Sequence, residues 1–468
     1  MESIFKFMNP NISQSITVPS TDEIREILVR RIDQQKQAVG IVVGVIEPTG
    51  RRVVAYGNLA NGNRPNGDAG TLYGDTIFEI GSVTKVFTSL LLADMVNRKE
   101  VALDDPAAKY LPENVKMPER SGKSITLHDL STHSSGLPRL PSNLKPKDPR
   151  NPYADYSVDD LYQFLSGYTL PRDPGSDLEY SNLGAGLLGY LLACRAGTDY
   201  ESLIGSRITE PLSMLDTGIT LSSSMQQRMA TGHNPRLAPV DNWDFPTLTG
   251  AGALRSSAND LLTFLEAFLG YKESPLAPAM KAMLEVRRTL GKANIGLGWF
   301  IFPTDGREIA NHDGGTGGFC SWVGYDPKER IGVVVLSNTF TPSGVVDIGL
   351  HLLDPKFPLA NPEPPTQRTE IPIDPKLLDN YTGRYQLEPN RTLEIIRDGD
   401  RLFAQGTAQV NGQAIVGPKF EVFAESEKNF FVKVTGSQIT FETGPEGRAT
   451  SLIMHRAGRE PMAAPRLS

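Results

Sequence analysis

The sequence predicts an α+β protein (an α/β sandwich): an antiparallel sheet flanked by helices, an all-helical subdomain beside it, and a separate C-terminal antiparallel β-barrel. Three observations predict this. Strand patterns stand at both ends of a long helical stretch, at 40–56 and again at 295–337. A break at 354–375 carries seven prolines, and proline-rich segments act as semi-rigid spacers. Beyond the break the pattern changes to short alternating strands. At 468 residues the chain is long for one domain and comfortable for two. The expected division is an arm at 1–20, a first domain at 21–353, the linker at 354–375, and a β domain with a tail at 376–468.

The elements follow in order. Thr21-Asp22-Glu23 reads as the cap of a helix running to about Gln37, with Ile24, Ile27, Leu28 and Ile32 at helical spacing. Gly40–Ile46 and Arg52–Tyr56 read as strands around the turn Pro48-Thr49-Gly50. From Ser82 to about Phe268 the helix candidates are 83–98, 126–132, 157–166, 183–195 and 258–269. Strands return at 295–302, 319–325 and 331–337. The simplest arrangement closes the two strand groups into one sheet, with a site in the groove beside the helical region. Past the linker, strand runs at 393–397, 401–404, 420–423, 429–434 and 438–441 alternate with turns at Asp398-Gly399-Asp400, Asn411-Gly412 and Thr435-Gly436-Ser437. A small barrel of the lipocalin-like kind is expected there, serving as an accessory domain.

Composition excludes several function classes. The net charge is −7 and Lys and Arg form no basic block, so no nucleic-acid footprint is present. Cys194 and Cys320 make no disulfide framework, and a reduced state is the expectation. The histidines 128, 133, 233, 312, 351 and 455 form no H-E-x-x-H or similar cluster. Neither a metal nor another cofactor is expected. The N-terminus lacks the apolar core of a signal peptide, and no run approaches the ~20 apolar residues of a membrane span. A cytoplasmic protein is expected, although a chain processed at its N-terminus would read the same. Oligomeric state is left open.

The chemistry concentrates in Glu79-Ile80-Gly81-Ser82-Val83-Thr84-Lys85, which opens an apolar run to Met95. Positions i and i+3 share a helix face, so the Ser82 hydroxyl and the Lys85 amine can touch. An apolar site lowers a lysine pKa and lets the amine take the serine proton. A lone Ser-x-x-Lys is common by chance, and what accompanies it decides its meaning. Tyr180-Ser181-Asn182 places a phenol and a carboxamide on an extended loop ahead of a helix; a packing residue and a cap would look alike. His312-Asp313-Gly314-Gly315-Thr316-Gly317-Gly318 is permissive backbone. On a strand edge it offers free N–H groups of the kind an acyl-transfer enzyme aims at an oxyanion.

In this order, Ser82-Val83-Thr84-Lys85, Tyr180-Ser181-Asn182 and His312-Asp313-Gly314 resemble the motifs of the penicillin-recognising serine hydrolases. More narrowly, the chain resembles the branch of class C β-lactamases, D-alanyl-D-alanine carboxypeptidases, D-aminopeptidases and esterases. Leu103–Pro106 with Lys109–Pro112, Ile125–Pro138 and Gly252–Leu261 extend the likeness, which covers about 22–353. The resemblance supports Ser82 as nucleophile, with Lys85 and Tyr180 sharing the proton traffic; which of the two is the base stays open. Asn182 is expected to position Lys85 and the substrate amide. His312, Asp313 and Gly314 are expected to line the groove, and the N–H groups of Ser82 and Gly315 to hold the oxyanion. His133 raises a rival Ser-His-Asp triad, but no Gly-x-Ser-x-Gly elbow is present.

Class C β-lactamases usually carry lysine where this chain has His312. Histidine, neutral or weakly charged near pH ~7, holds a substrate carboxylate less firmly. With the added β domain, it shifts the expectation toward a peptidase or amidase acting on short peptides with D- or unusual residues. A carboxylesterase, a β-lactamase and a catalytically silent binding protein are the alternatives, the last opposed by the intact Ser82, Lys85, Tyr180 and Asn182.

Overall fold

The computed structural model describes residues 16–60, 70–285, 288–290, 293–364, 368–410, 413–433, 437–455 and 460–467. Residues 1–15 of the expected arm at 1–20, 365–367 of the linker, 411–412 of one expected turn, and 434–436, the end of one expected strand and part of the turn after it, lie outside them.

The N-terminal hairpin, β1 (Gly40–Glu47) and β2 (Gly50–Gly57), joins six strands from the far end of the domain. These are β3 (Arg288–Leu290), β4 (Ala293–Ile295), β5 (Phe300–Thr304), β6 (Arg307–Gly315), β7 (Cys320–Asp326) and β8 (Ile331–Ser337). The sheet order is β2-β1-β8-β7-β6-β5-β4-β3, antiparallel throughout. Ile41 pairs with Ser337 and Ile46 with Gly332, so the expected closure of the two strand groups into one sheet is what the chain does.

Pleating sends successive side chains to opposite faces, and the central strands are apolar on both. Val42, Ile46, Val334 and Leu336 join one core, while Ile41, Val43, Val45, Val333 and Val335 join the other. Helices therefore cover both faces. On the first side lies α4 (Ala258–Phe268), against β1 and β8. On the second lie α1 (Thr21–Val29) and α5 (Val346–Leu353). Each fully buried aliphatic side chain contributes about 1.5–3 kcal/mol to this packing.

Two local readings change. The cap of α1 is Ser20 rather than the Thr21 triplet: its hydroxyl accepts from the Glu23 N–H while Glu23 reaches back, a reciprocal capping box. The helix then widens into a π-helical turn, Arg30–Gln34, and ends short of Gln37. Ser20, four residues ahead of Ile24 where the apolar stripe begins, was the better capping signal.

α2 (Thr84–Asn97) is buried from Thr84 through Met95 and runs through the middle of the domain. A helix apolar on every side belongs inside. Its buried polar groups are matched: Thr88 Oγ1 meets Tyr200 Oη at 2.7 Å and Ser89 Oγ meets Ser131 Oγ at 2.8 Å. α3 (Asn182–Ala196) packs beside it in the helical region.

The C-terminal domain has eight strands, β9 (Gly383–Glu388), β10 (Arg391–Asp398), β11 (Arg401–Val410), β12 (Gln413–Ala424), β13 (Asn429–Phe431), β14 (Gln438–Thr443), β15 (Ala449–His455) and β16 (Met462–Pro465). They pair in chain order, and a bridge between Tyr385 and Arg466 brings the last strand back to the first. The barrel is antiparallel and nearly closed, around Tyr385, Ile395, Leu402, Phe430, Phe441 and Leu452. Ahead of it, the linker lies along the first domain, where Gln37 Nε2 donates to the Glu363 carbonyl at 2.9 Å. Arg236 stands over the Phe431 ring at 4.8 Å and joins the barrel to the first domain.

Candidate active site

The strand Ile77–Glu79 pairs with Arg255–Ser257 and delivers the chain into a tight 3₁₀ turn, Gly81–Val83, ahead of α2. Gly81 has φ +47°, and a Cβ there would lie 2.7 Å from the Gly315 nitrogen. Only glycine tolerates both the left-handed backbone and that approach. Ser82 is thus set at the mouth of a buried helix, with Lys85 one turn further in.

Lys85 is 2% exposed. Its Nζ lies 2.8 Å from Ser82 Oγ and donates to the Ala251 carbonyl at 2.7 Å. No carboxylate pairs with it among the described ion pairs, and burial, then the Arg139 charge, hold its pKa well below the ordinary lysine value against the opposing pull of Asp313. The free amine is favoured, within proton-transfer reach of the hydroxyl.

Tyr180 is hydrogen-bonded to Ser82, and burial raises its phenol pKa, with the Ser82 bond opposing. The phenol therefore keeps its proton. His133 packs on Tyr180 with ring centroids 4.4 Å apart, and its Nδ1 accepts from the Ser181 N–H at 3.2 Å. Burial keeps His133 neutral. With that ring nitrogen bound to backbone, His133 braces the tyrosine, while the groups on the Ser82 hydroxyl are Lys85 and Tyr180.

Asn182 differs from expectation. Its Nδ2 donates to Tyr153 Oη at 2.9 Å instead of reaching Lys85, and its Oδ1 is buried without a partner. Ser181 caps α3 through Gly184 N at 2.8 Å, which turns the Asn182 side chain toward Tyr153 rather than into the helix carrying Lys85.

The glycine-rich strand completes the site. Asn311 pairs with Phe300, the first residue of β5, so His312 to Gly315 run past the end of β5 and pair with β7 alone. β6 is central in the sheet, yet this stretch is an edge, and the Ser82 turn packs there. A Cβ on Gly314 would lie 2.1 Å from the Ile80 carbonyl and 3.0 Å from the Ser82 nitrogen. Ser321 Oγ donates to that Ile80 carbonyl at 2.8 Å.

His312 is buried, and burial lowers its pKa to about 4. Its Nδ1 lies 2.6 Å from the Asp313 carbonyl, which can only accept, so Nδ1 carries the hydrogen and the buried Nε2 is a bare acceptor without a partner. Asp313 is exposed beside it.

Three contributors carry no motif. Tyr153 holds Asn182, and Arg139 stands 5.0 Å over the Tyr180 ring. Glu79, buried, accepts from Trp243 N at 3.0 Å and Arg255 Nη2 at 3.3 Å, so it ties the nucleophile strand to Arg255 on its partner strand and to the loop carrying Trp243. Its place three residues before Ser82 was the signal available. Among the described residues no His/Cys/Asp/Glu group could hold a metal, and no helix is long and apolar enough to cross a membrane.

Residues 26–354 match the family model described as Beta-lactamase. The chain belongs to the beta-lactamase family. It is a serine hydrolase of that family, and residues 367–465 match a second model, described as a domain of unknown function (DUF3471). The chain is 30% identical over 342 residues to the D-alanyl-D-alanine-carboxypeptidase/endopeptidase AmpH of Escherichia coli (strain K12), covering 69% of this chain and 86% of the relative. It is 25% identical over 413 residues to penicillin-binding protein 4* of Bacillus subtilis (strain 168), covering 82% and 87%. Among solved structures, the class C beta-lactamase of Rhodobacter sphaeroides superposes with a TM-score of 0.60 at 26% identity, over 71% of this chain and 97% of that one. The D-alanine carboxypeptidase AmpC of Burkholderia cenocepacia gives 0.60, 26%, 71% and 99%.

Proposed function

We propose that this serine hydrolase cleaves amide bonds through a covalent acyl-enzyme on Ser82, acting as a peptidase or amidase on short peptides with D- or unusual residues. The observation that carries the reading is the buried Lys85 amine, 2.8 Å from Ser82 Oγ and without a carboxylate partner among the described ion pairs. As Ser82 Oγ bonds to the carbonyl carbon, its proton passes to Lys85. The carbonyl oxygen takes the negative charge and is held by the N–H groups of Ser82 and Gly315. The Tyr180 phenol gives its proton to the leaving nitrogen and is resupplied from Lys85. Water then repeats the sequence on the acyl-enzyme. Asn182 Oδ1 accepts from the substrate amide, and His312, Asp313 and Gly314 form the wall.

Peptides are favoured over β-lactams because His312 is neutral where class C β-lactamases usually carry lysine, so a carboxylate laid along that strand meets no fixed positive charge there. A relative named D-alanyl-D-alanine-carboxypeptidase/endopeptidase supports the same direction, although relatives named beta-lactamase keep that second reading in play. A fluorophosphonate adduct on Ser82, read by mass spectrometry, is expected in the native enzyme and absent in Ser82→Ala. Short D-peptides should turn over faster than the chromogenic cephalosporin nitrocefin; the reverse order would return the enzyme to the β-lactamases.

A further inference from the structure

The chemistry of Ser82, Lys85 and Tyr180 leaves open what holds the rest of the substrate, and the charges around the site bear on it. Lys85 is held toward the free amine, and His312 is neutral. Asp313 places a carboxylate on the strand that lines the groove, exposed and outside the described ion pairs. A substrate carboxylate laid along that strand would meet repulsion. The cation at this site is Arg139. Its carbonyl accepts from Asn182 N at 3.0 Å and Leu183 N at 3.3 Å, which fixes the residue at the start of α3. Its guanidinium stands 5.0 Å over the Tyr180 ring, is exposed, and enters none of the described ion pairs. Its charge is felt by Lys85, Tyr153 and Tyr180 alike.

We propose that Arg139 is the specificity-determining cation of the site, receiving a carboxylate of the substrate beside the Tyr180 ring. This rests on the acyl-transfer reading of Ser82. A guanidinium offers a planar fork of donors that matches a carboxylate with two parallel hydrogen bonds, whereas an imidazole or an ammonium does not. The site therefore selects short peptides bearing a free carboxylate near the scissile bond over neutral esters and amides of the same shape.

The test uses the native full chain and two N-acetylated D-dipeptides, one with a free terminal carboxylate and one as its primary amide. Binding is read as slowed fluorophosphonate labelling of Ser82, so it does not depend on turnover. The acid should protect about tenfold better than the amide in the native enzyme, the size of a partly solvent-screened charge-assisted contact. Arg139→Ala should lose that preference while binding the amide as before, Arg139→Lys should keep part of it, and both should melt near the native temperature. Equal protection by the two peptides, no protection by either, or an equal loss of both in Arg139→Ala overturns the assignment. Absence of Ser82 labelling in the native enzyme overturns instead the acyl-transfer reading beneath it.

Discussion

His312 refuses a proton that an exposed imidazole would take. Burial sets its value near 4 against an ordinary 6.5, with Asp313 opposing the shift and Lys85 adding to it. The unfolded chain binds a proton near 6.5 while the folded form stays neutral. The resulting stability is present above about 6.5 and is lost as pH falls toward about 4. At about 1.4 kcal/mol for each tenfold change in proton affinity, the loss is roughly 3 kcal/mol at the acid end. Urea unfolding at pH ~7 and pH ~4.5 should show His312→Gln losing less stability than the native protein across that interval. Equal losses would mean that the imidazole titrates as if exposed. Legibility at this scale follows range along the chain. Ser82 and Lys85 were readable because they sit within one helical turn. Asn182–Tyr153, Glu79–Arg255 and Arg139–Tyr180 were not, since partners 29, 176 and about 40 residues apart in sequence meet only through tertiary packing.

The elements that matter are two: the turn into α2 and the overhanging end of β6. The sequence carried both in their glycines, but not the way they meet. A glycine-rich strand reads as an edge, and β6 is central; only its last residues escape β5. That overhang depends on where β5 begins, a register that hydrophobic pattern does not specify for so short a strand. The helix at Val346–Leu353 and the strands at 383–388, 449–455 and 462–465 also went unread, each short and flanked by polar residues that blur its period. Gly314→Ala tests the junction. The added methyl would lie 2.1 Å from the Ile80 carbonyl, against backbone that cannot step aside. The two elements must separate, at a cost of roughly 1–3 kcal/mol in stability. Ser82 labelling should fall by at least ~10²-fold, because the proposed oxyanion donors, the N–H groups of Ser82 and Gly315, lose their spacing. A variant that melts lower but labels at the native rate would show that the junction serves packing alone.

At the scale of the whole molecule, the barrel has its own core, separate from the two cores that cover the sheet. Domains so divided unfold independently unless their interface is large and apolar. Here the described cation–π contact is Arg236 over Phe431, worth about 0.5–1 kcal/mol. Arg236 lies in the loop after His233, and His233 N bonds the Gly318 carbonyl at 3.1 Å, just past the glycine strand. The barrel is therefore linked to the far end of the site's wall through a few residues. From this geometry the barrel should tune which substrates enter, without supplying chemistry. Arg236→Ala should leave the rate of Ser82 labelling by a small fluorophosphonate within about twofold, because that probe needs only Ser82, Lys85 and the oxyanion donors. The ratio of turnover between a long and a short D-peptide should shift, because the wall nearest the barrel is freed. Calorimetry should resolve two transitions, the barrel's moving independently of Lys85→Ala. If the peptide ratio stays at its native value while the transitions do separate, the barrel is a passenger, and substrate length is set within the catalytic domain.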